Sequence, residues 1–252
     1  RNFCQNIIAA YHAQKAGKHD RWLSILPMSH TYEMAFSVLY PLYVGGCVYY
    51  IQKPPTPSIL MQTMKKVKPT IMCSVPLIIE KVYKNSVVPT VEKSRVLSWM
   101  KGHTPRLLYW LIGKKLYASF GGKLKFFGIG GSKLDPTVED FLIKAKFPYA
   151  IGYGLTESLA TVSCDHLGKP FTVGSVGRPI EGIEIKIGEN NEILLKGPTI
   201  TKGYFKRDAA NAEAFDADGF FHTGDAGYMK DGELFLQKRI KDLFKTSNGK
   251  YV

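Results

Sequence analysis

The stretch of the chain richest in potential chemistry reads Gly152-Tyr153-Gly154-Leu155-Thr156-Glu157-Ser158 and follows the apolar run 147–151. The tyrosine ring can stack on a flat base, and the glycines let a ligand approach the backbone closely. The hydroxyl of Thr156 can donate to an anionic oxygen, and the carboxylate of Glu157 can bind a hard cation such as Mg²⁺. Together these groups predict a nucleotide site, although a structural turn with a helix cap uses the same residue types.

A second group of chemical interest is His222-Thr223-Gly224-Asp225, which we place on a turn between two strands. A carboxylate such as that of Asp225 can accept hydrogen bonds from both hydroxyls of a ribose. Arg239, fourteen residues later, could offer a fixed cationic fork to the ribose or phosphate side. The simpler alternatives are a turn aspartate that bonds its own backbone and a solvated arginine at a strand end. We expect His222 to order the segment that presents Asp225.

Gly130-Gly131-Ser132 forms a third candidate, between a predicted strand over 123–129 and a helix that starts near Asp135-Pro136. It is not a Walker loop, because no Gly-Lys-Ser/Thr follows. Its backbone N–H groups could still face a ligand at the carboxyl end of a parallel sheet, where open α/β folds bind.

The elements that must position these residues change character near residue 165. Before it, apolar strands alternate with helices, which predicts βαβ units and a mostly parallel sheet flanked by helices. After it, short strands separated by Gly and Asn turns predict a smaller antiparallel, β-barrel-like subdomain. We therefore expect an α/β fold with one subdomain over 1–165 and a second over 166–238.

Residues 84–120 interrupt the alternation and read as two or three helices. The wider segment 81–146 has thirteen Lys or Arg against four Asp or Glu, so it holds +9 of the net charge of +13. Leu107 to Ile112 is apolar nearly all round, with Lys114 and Lys115 just beyond. We favour a buried helix with solvated lysines here; the alternative is a basic, apolar surface that rests on an anionic membrane.

The overall composition fits a folded protein with anionic partners. Of 252 residues 45% are hydrophobic and 22% charged, and the positive charge favours nucleotides, nucleic acid or an acidic membrane face. A nucleic-acid module would interleave aromatic and basic residues on a sheet face; we find no such pattern and expect no nucleic-acid partner.

The four widely spaced cysteines argue against a zinc ribbon or a disulfide framework and fit a reducing, cytoplasmic location. We find no signal peptide and no membrane-spanning run.

Taken in order, the sequence motifs resemble those of the adenylate-forming (AMP-binding) enzymes, which include acyl-CoA synthetases, luciferases and peptide-synthetase adenylation domains. They are the 152–158 stretch, Gly203-Tyr204, the 222–225 stretch, Arg239-Ile240-Lys241-Asp242 and Asn248-Gly249-Lys250-Tyr251-Val252. The helical segment 84–120 before Phe126-Phe127-Gly128-Ile129-Gly130-Gly131 resembles long-chain fatty-acid–CoA ligases, as does 245–252.

The resemblance implies a two-step reaction of ATP, a fatty acid and coenzyme A with Mg²⁺, in which an acyl adenylate forms and its acyl group then passes to the thiol. It implies catalytic roles for Thr156, Glu157 and Arg239, with Glu157 as the metal ligand. The nucleotide contacts it implies are Gly130, Gly131, Ser132, Tyr153, Gly154, Thr156, Asp225 and Arg239. It assigns His30, Gly152 and Gly249 to the acyl and pantetheine paths and Asp242 to a hinge.

The resemblance also implies parts beyond the chain. The family's phosphate loop would precede Arg1, 239–252 would be the hinge and start of a further domain, and the catalytic lysine would follow Val252. We therefore expect part of a larger adenylation domain that does not turn over alone. Another adenylate-forming enzyme that loads a carrier protein, and a non-catalytic nucleotide-binding module, remain alternatives. The chain length of the acid and the oligomeric state stay open.

Overall fold

The computed structural model describes residues 2–52, 55–165 and 172–240. The strands in these ranges are β1 (Arg21–Ser24), β2 (Cys47–Tyr50), β3 (Ile71–Ser74), β4 (Phe126–Ile129), β5 (Tyr149–Tyr153), β6 (Ser163–Cys164), β7 (Arg178–Pro179), β8 (Glu184–Ile187), β9 (Glu192–Lys196), β10 (Phe221–Lys230) and β11 (Glu233–Arg239). The α-helices are α1 (Asn2–Ala13), α2 (Thr31–Glu33), α3 (Tyr40–Val44), α4 (Pro57–Val67), α5 (Pro76–Val82), α6 (Val88–Lys93), α7 (Arg95–His103), α8 (Pro105–Ser119), α9 (Pro136–Lys144) and α10 (Asp208–Ala214). Met34–Leu39 and Tyr83–Val87 are π-helical, and Thr156–Ser158 and Glu189–Asn191 are 3₁₀ turns.

The larger sheet has seven strands in the order β2-β1-β3-β4-β5-β6-β7. The first five are parallel, and β6 and β7 add to the edge in antiparallel pairs. The central strands β1, β3, β4 and β5 are mostly buried, because helices cover both faces of such a sheet. Trp22, Met72 and Phe127 are accordingly almost fully buried. This confirms the predicted mostly parallel sheet flanked by helices.

The smaller sheet is antiparallel, with the order β11-β10-β9-β8, and confirms the predicted second architecture. The predicted turn over 222–225 is wrong, since these residues lie inside the ten-residue strand β10. The pairing with β11 shifts register between Asp225 and Gly227, and Gly224 has a φ of +70°. A bulge with a left-handed glycine has the same residue preferences as a turn, which explains the error.

The favoured interpretation of 107–112 as a buried helix is right for only one face of α8. Leu108 and Ile112 point into the core, whereas Leu107, Trp110 and Leu111 are 50%, 47% and 40% exposed. Within the described ranges, no helix combines the length and apolar character needed to cross a bilayer.

Candidate active site

The carboxyl ends of β3, β4 and β5 meet at one edge of the parallel sheet. The backbone N–H of Gly130 donates to the carbonyl oxygen of Ser74 across 3.1 Å, and Gly131 turns the chain away with a φ of +90°. Tyr153 ends β5 at the same edge. A cleft of about 450 Å³ opens here; its lining includes Gly131, Ser132, Gly152, Tyr153, Gly154, Asp225 and Arg239. Two stretches far apart in sequence, one from each sheet, therefore share a cavity.

The centre of this cleft is the carboxylate of Asp225. The phenol of Tyr153 donates to Oδ2 of Asp225 across 2.7 Å, and Nε of Arg239 lies 3.2 Å from Oδ1. Asp225 and Arg239 are direct cross-strand partners in β10 and β11. Tyr153 is only 8% exposed, and burial, followed by the charge of Asp225, raises the pKa of its phenol well above the ordinary value. The phenol thus stays a hydrogen-bond donor, and both carboxylate oxygens have fixed directions.

Neighbouring side chains hold the bulged segment of β10 in place. The Thr223 hydroxyl donates to the carbonyl of Ile193 and accepts from the backbone N–H of Asp225, at 2.7 and 3.0 Å. Glu192 accepts from the backbone N–H of Gly224 at 2.8 Å and lies 2.9 Å from Nδ1 of His222. His222 thus has the ordering contact expected of it, whereas sequence reasoning missed Glu192.

Thr156 and Glu157 follow β5 on a 3₁₀ turn that packs closely against the next segment. A Cβ at Gly154 would lie 1.9 Å from the carbonyl oxygen of Ala160, so only glycine fits there. The phenol of Tyr204 donates to Oε1 of Glu157 across 2.8 Å. Burial and this bond raise the pKa of Tyr204 to about 12. The Gly203-Tyr204 motif was visible in the sequence, but its contact with Glu157 was not.

A second cleft, of about 220 Å³, adjoins the first. It is lined by His30, Thr31, Tyr32, Gly130, Gly131, Gly152, Gly154, Leu155, Thr156, Glu157, Ala160, Thr161 and Arg239. Gly131, Gly152 and Arg239 line both clefts. His30 is exposed, and its Nδ1 accepts from the backbone N–H of Tyr32 at 3.2 Å. It therefore caps the following helix, α2.

An apolar cavity of about 80 Å³ adjoins these clefts. Tyr32 and Gly152 line both this cavity and the second cleft. Ala9 and Ala13 of α1, with Phe36 and Tyr40, form much of its wall. If the apolar tail of a molecule entered this cavity past Gly152, the polar end of that molecule would lie near His30 and Thr156 in the second cleft.

The residues present fit a nucleotide and a single metal ion. The larger cleft combines an aromatic side chain, an oriented carboxylate and glycine backbone, which suit a base, a ribose and close phosphate approach. No cluster of three or more His, Cys, Asp or Glu that could hold a metal occurs among the described residues. Glu157 could therefore supply one oxygen ligand, with phosphate oxygens and water as the others, as Mg²⁺ commonly has. Gly249 and Asp242 lie outside the described residues.

The segment after β5 thus faces the carboxylate of Asp225 from the second sheet, an arrangement that suits a nucleotide. The chain belongs to the AMP-binding enzyme family, whose pattern matches residues 1–205. It is 31% identical, over 92% of its length, to long chain acyl-CoA synthetase 7, peroxisomal, of Arabidopsis thaliana, and covers 37% of that protein. It is 32% identical, over 94% of its length, to long-chain-fatty-acid–CoA ligase 4 of Saccharomyces cerevisiae and covers 38% of it.

Among solved structures, the fold resembles O-succinylbenzoate coenzyme A synthetase of Bacillus subtilis in complex with ATP and magnesium ion. The TM-score is 0.73 at 22% identity, and the match covers 100% of this chain and 48% of the other. The chain thus spans less than half the length of these relatives.

Proposed function

We propose that the protein of which this chain is part activates a fatty acid with ATP and transfers the acyl group to coenzyme A. The observation that carries the proposal is the convergence of Tyr153, Asp225 and Arg239 in one cleft with Thr156 and Glu157 in the adjoining one. The names of the relatives support the acid and the thiol, and the apolar cavity beside Gly152 supports an apolar acid.

In this proposal the base lies against Tyr153 and the backbone of Gly130, Gly131 and Ser132. Asp225 accepts from the ribose hydroxyls through lone pairs that its contacts with Tyr153 and Arg239 leave free. Thr156 donates to a phosphate oxygen, and Arg239 turns its guanidinium to the ribose or phosphate side.

The first chemical step joins a carboxylate oxygen of the acid to the α-phosphorus of ATP and breaks the bond to the β-phosphate, which releases pyrophosphate. The protein's part is to hold the two reactants in line and to stabilise the charge that develops on the phosphate. Magnesium, held by Glu157, supplies further positive charge when bound. In the second step the thiol sulfur of coenzyme A attacks the acyl carbon, and AMP leaves.

The apolar cavity sets a condition on the acid. An engineered cavity of about 150 Å³ binds benzene in a protein core, and this one is about 80 Å³. A long acyl chain therefore enters only if aromatic side chains such as Tyr32, Phe36 or Tyr40 move aside.

We further propose that the protein rests on an anionic membrane face through the α7–α8 surface. This surface comprises exposed Val96, Trp99, Leu107, Trp110 and Leu111 with Lys101, Arg106, Lys114 and Lys115. Nζ of Lys114 lies 3.9 Å from the Trp110 ring centre. Residues 93–134 contain nine Lys or Arg and no Asp or Glu, so the surface complements anionic lipid in charge. Tryptophan and lysine together are typical of membrane interfaces.

We retain as a proposal the division into subdomains over 1–165 and 166–238, followed by a hinge and the start of another domain over 239–252. The two sheets support the division between subdomains, because β1 to β6 lie before residue 166 and the strands of the second sheet, β8 to β11, lie after it.

The test is pyrophosphate exchange into ATP by the full-length protein, with acids of two to eighteen carbons, followed by assay of the coenzyme A thioester. We expect exchange with fatty acids and formation of the thioester. Exchange without thioester would identify an adenylate-forming enzyme with another acceptor. Tight AMP binding with no exchange for any acid would support a non-catalytic nucleotide-binding module.

A further inference from the structure

Asn6, on the first helix, reaches into the turn that follows the proposed metal ligand. Its side chain is fully buried. Nδ2 donates to the carbonyl oxygen of Ser158 at 3.2 Å, and Oδ1 accepts from the backbone N–H of Thr161 at 3.2 Å. One amide therefore bridges both ends of a four-residue turn that is more than 150 residues away in sequence.

The turn between these two contacts has an unfavourable backbone. Leu159 and Ala160 have φ values of +62° and +144°, a region that residues with a side chain rarely adopt. Such conformations persist when surrounding contacts impose them, and they concentrate at functional sites. The turn also lines the second cleft through Ala160 and Thr161, and its carbonyl at Ala160 is the atom that forbids a side chain at Gly154.

Helix α1 holds the other side of Glu157 as well. Nδ2 of Asn2 lies 3.0 Å from the carbonyl oxygens of both Thr199 and Ile200. The next residue, Thr201, donates its backbone N–H to the carbonyl oxygen of Glu157 at 2.7 Å. The 199–201 segment and the 158–161 turn are thus both attached to α1 by asparagine side chains.

We propose that Asn6 is a positioning residue: it imposes the backbone of 158–161 and thereby fixes the direction in which Thr156 and Glu157 face the cleft. Its effect on adenylation rests on the proposed function, but its effect on the turn does not. An asparagine that only fills space in the helix packing would contribute to stability without affecting the turn.

The experiment compares Asn6→Ala and Asn6→Asp with Ile7→Ala in the full-length protein. Ile7 is the adjacent buried residue of α1 and packs with Trp22, Tyr40 and Ile71, away from the turn. Asn6→Asp keeps an acceptor for Thr161 but loses the donor to Ser158. Thermal melting measures the loss of stability, amide hydrogen exchange measures the turn, and pyrophosphate exchange measures kcat and KM for ATP.

We expect Asn6→Ala to speed exchange of the Thr161 amide by at least about tenfold, because that N–H loses its acceptor. We also expect it to lower kcat about 10- to 100-fold while KM for ATP changes less than about threefold, as for a displaced orienting group. Asn6→Asp should keep Thr161 protected, but its carboxylate would face the carbonyl oxygen of Ser158 without a donor, so it should still lower kcat and speed exchange over 157–160. Ile7→Ala should lower the melting temperature but leave the Thr161 amide and kcat near those of the unchanged protein.

The inference would be overturned if Asn6→Ala and Ile7→Ala changed hydrogen exchange of the Thr161 amide equally. It would also be overturned if they lowered kcat equally at the same loss of stability. If Asn6→Ala does not fold, Asn6→Asp decides, since an unchanged kcat and unchanged exchange over 157–161 would exclude the positioning role. If the full-length protein adenylates no acid, the proposed function fails, and the hydrogen-exchange comparison still decides whether Asn6 imposes the turn.

Discussion

The phenol of Tyr153 donates to the carboxylate of Asp225 across 2.7 Å and so joins the last residue of β5 to the bulged strand β10. The contact connects the parallel sheet to the antiparallel sheet at the cleft. Because Arg239 approaches the other carboxylate oxygen at 3.2 Å, Asp225 has two directed partners before any ligand arrives. A ribose that bonds Asp225 would find its acceptor already oriented.

Asp225→Ala should weaken ATP binding at least about 100-fold, because hydrogen bonds to a charged group contribute about 1.5–3 kcal/mol each and the ribose would lose two. Calorimetry of ATP binding to the full-length protein measures the change. Glu213→Ala removes an exposed carboxylate from α10 and should have no effect. Unchanged affinity in Asp225→Ala would remove the ribose assignment.

Tyr153→Phe keeps the ring and deletes the phenol that orients Asp225. We expect about fivefold weaker ATP binding, in line with the loss of one hydrogen bond of about 1 kcal/mol. Because the phenol acts through Asp225, adding Tyr153→Phe to Asp225→Ala should weaken binding little further. Additive losses in the double variant would mean that the two residues contact the nucleotide independently.

Much of this arrangement could be predicted from local patterns in the sequence. Apolar strands that alternate with helices gave the parallel sheet, and the Asp135-Pro136 pair predicted the start of α9, where Asp135 caps the helix. These features depend on residue type and short spacing, which a sequence displays directly. That Tyr153 and Asp225 contact one nucleotide was implied instead by the resemblance to the adenylate-forming enzymes.

The contacts that orient the site could not be predicted, because they join distant segments. Glu192 supports His222, Tyr204 contacts Glu157, and Asn6 bridges the 158–161 turn. An isolated Glu, Tyr or Asn carries no pattern that identifies its partner. The exposed face of α8 was missed for a related reason: an apolar helix gives no sign of which face lacks a neighbour.

Glu157→Gln should slow adenylation at least about 100-fold and change ATP affinity less than about fivefold, because the charge acts mainly on the transition state. Tyr204→Phe, which removes the phenol that orients Glu157, should cost about tenfold in rate and raise the Mg²⁺ concentration needed for half-maximal exchange. Pyrophosphate exchange measured across Mg²⁺ concentrations gives both the rate of adenylation and the Mg²⁺ concentration needed for half-maximal exchange. Equal losses in binding and rate for Glu157→Gln would count against a metal role.

Lys114→Glu with Lys115→Glu should release the full-length protein from vesicles of phosphatidylcholine and phosphatidylserine. Each lysine near an anionic surface contributes about 1 kcal/mol, so reversing two should weaken binding at least about 30-fold. Lys65→Glu with Lys66→Glu reverses a matched exposed pair on α4 and should have little effect. Similar losses in both double variants would indicate a general charge effect, and binding to phosphatidylcholine alone would contradict a role for anionic lipid.

Stability should fall as pH rises from about 4.5 to about 7, owing to buried carboxylates away from the proposed nucleotide site. Glu139 on α9 is 1% exposed and accepts from the backbone N–H of Gly174 at 2.9 Å. Burial raises its pKa to about 7, against the weaker opposing effects of that bond and of Lys133. Asp165 is also buried, and its pKa is raised to about 7 by burial and by the charges of Glu139 and Glu233.

The unfolded chain releases the Glu139 proton near pH 4.5 and the folded protein near pH 7. Between these values the folded state binds more protons, so its stability decreases with rising pH until Glu139 is ionised. At about 1.4 kcal/mol per pKa unit, the difference between the two pKa values corresponds to a loss of on the order of 3 kcal/mol in the free energy of unfolding.

Glu139→Gln removes this ionisation, so it should raise the melting temperature at pH 8 relative to the unchanged protein, with a smaller gain at pH 5. Glu213→Gln, an exposed control, should show no such dependence. A gain as large at pH 5 as at pH 8 would show that charge on Glu139 is not what destabilises the fold.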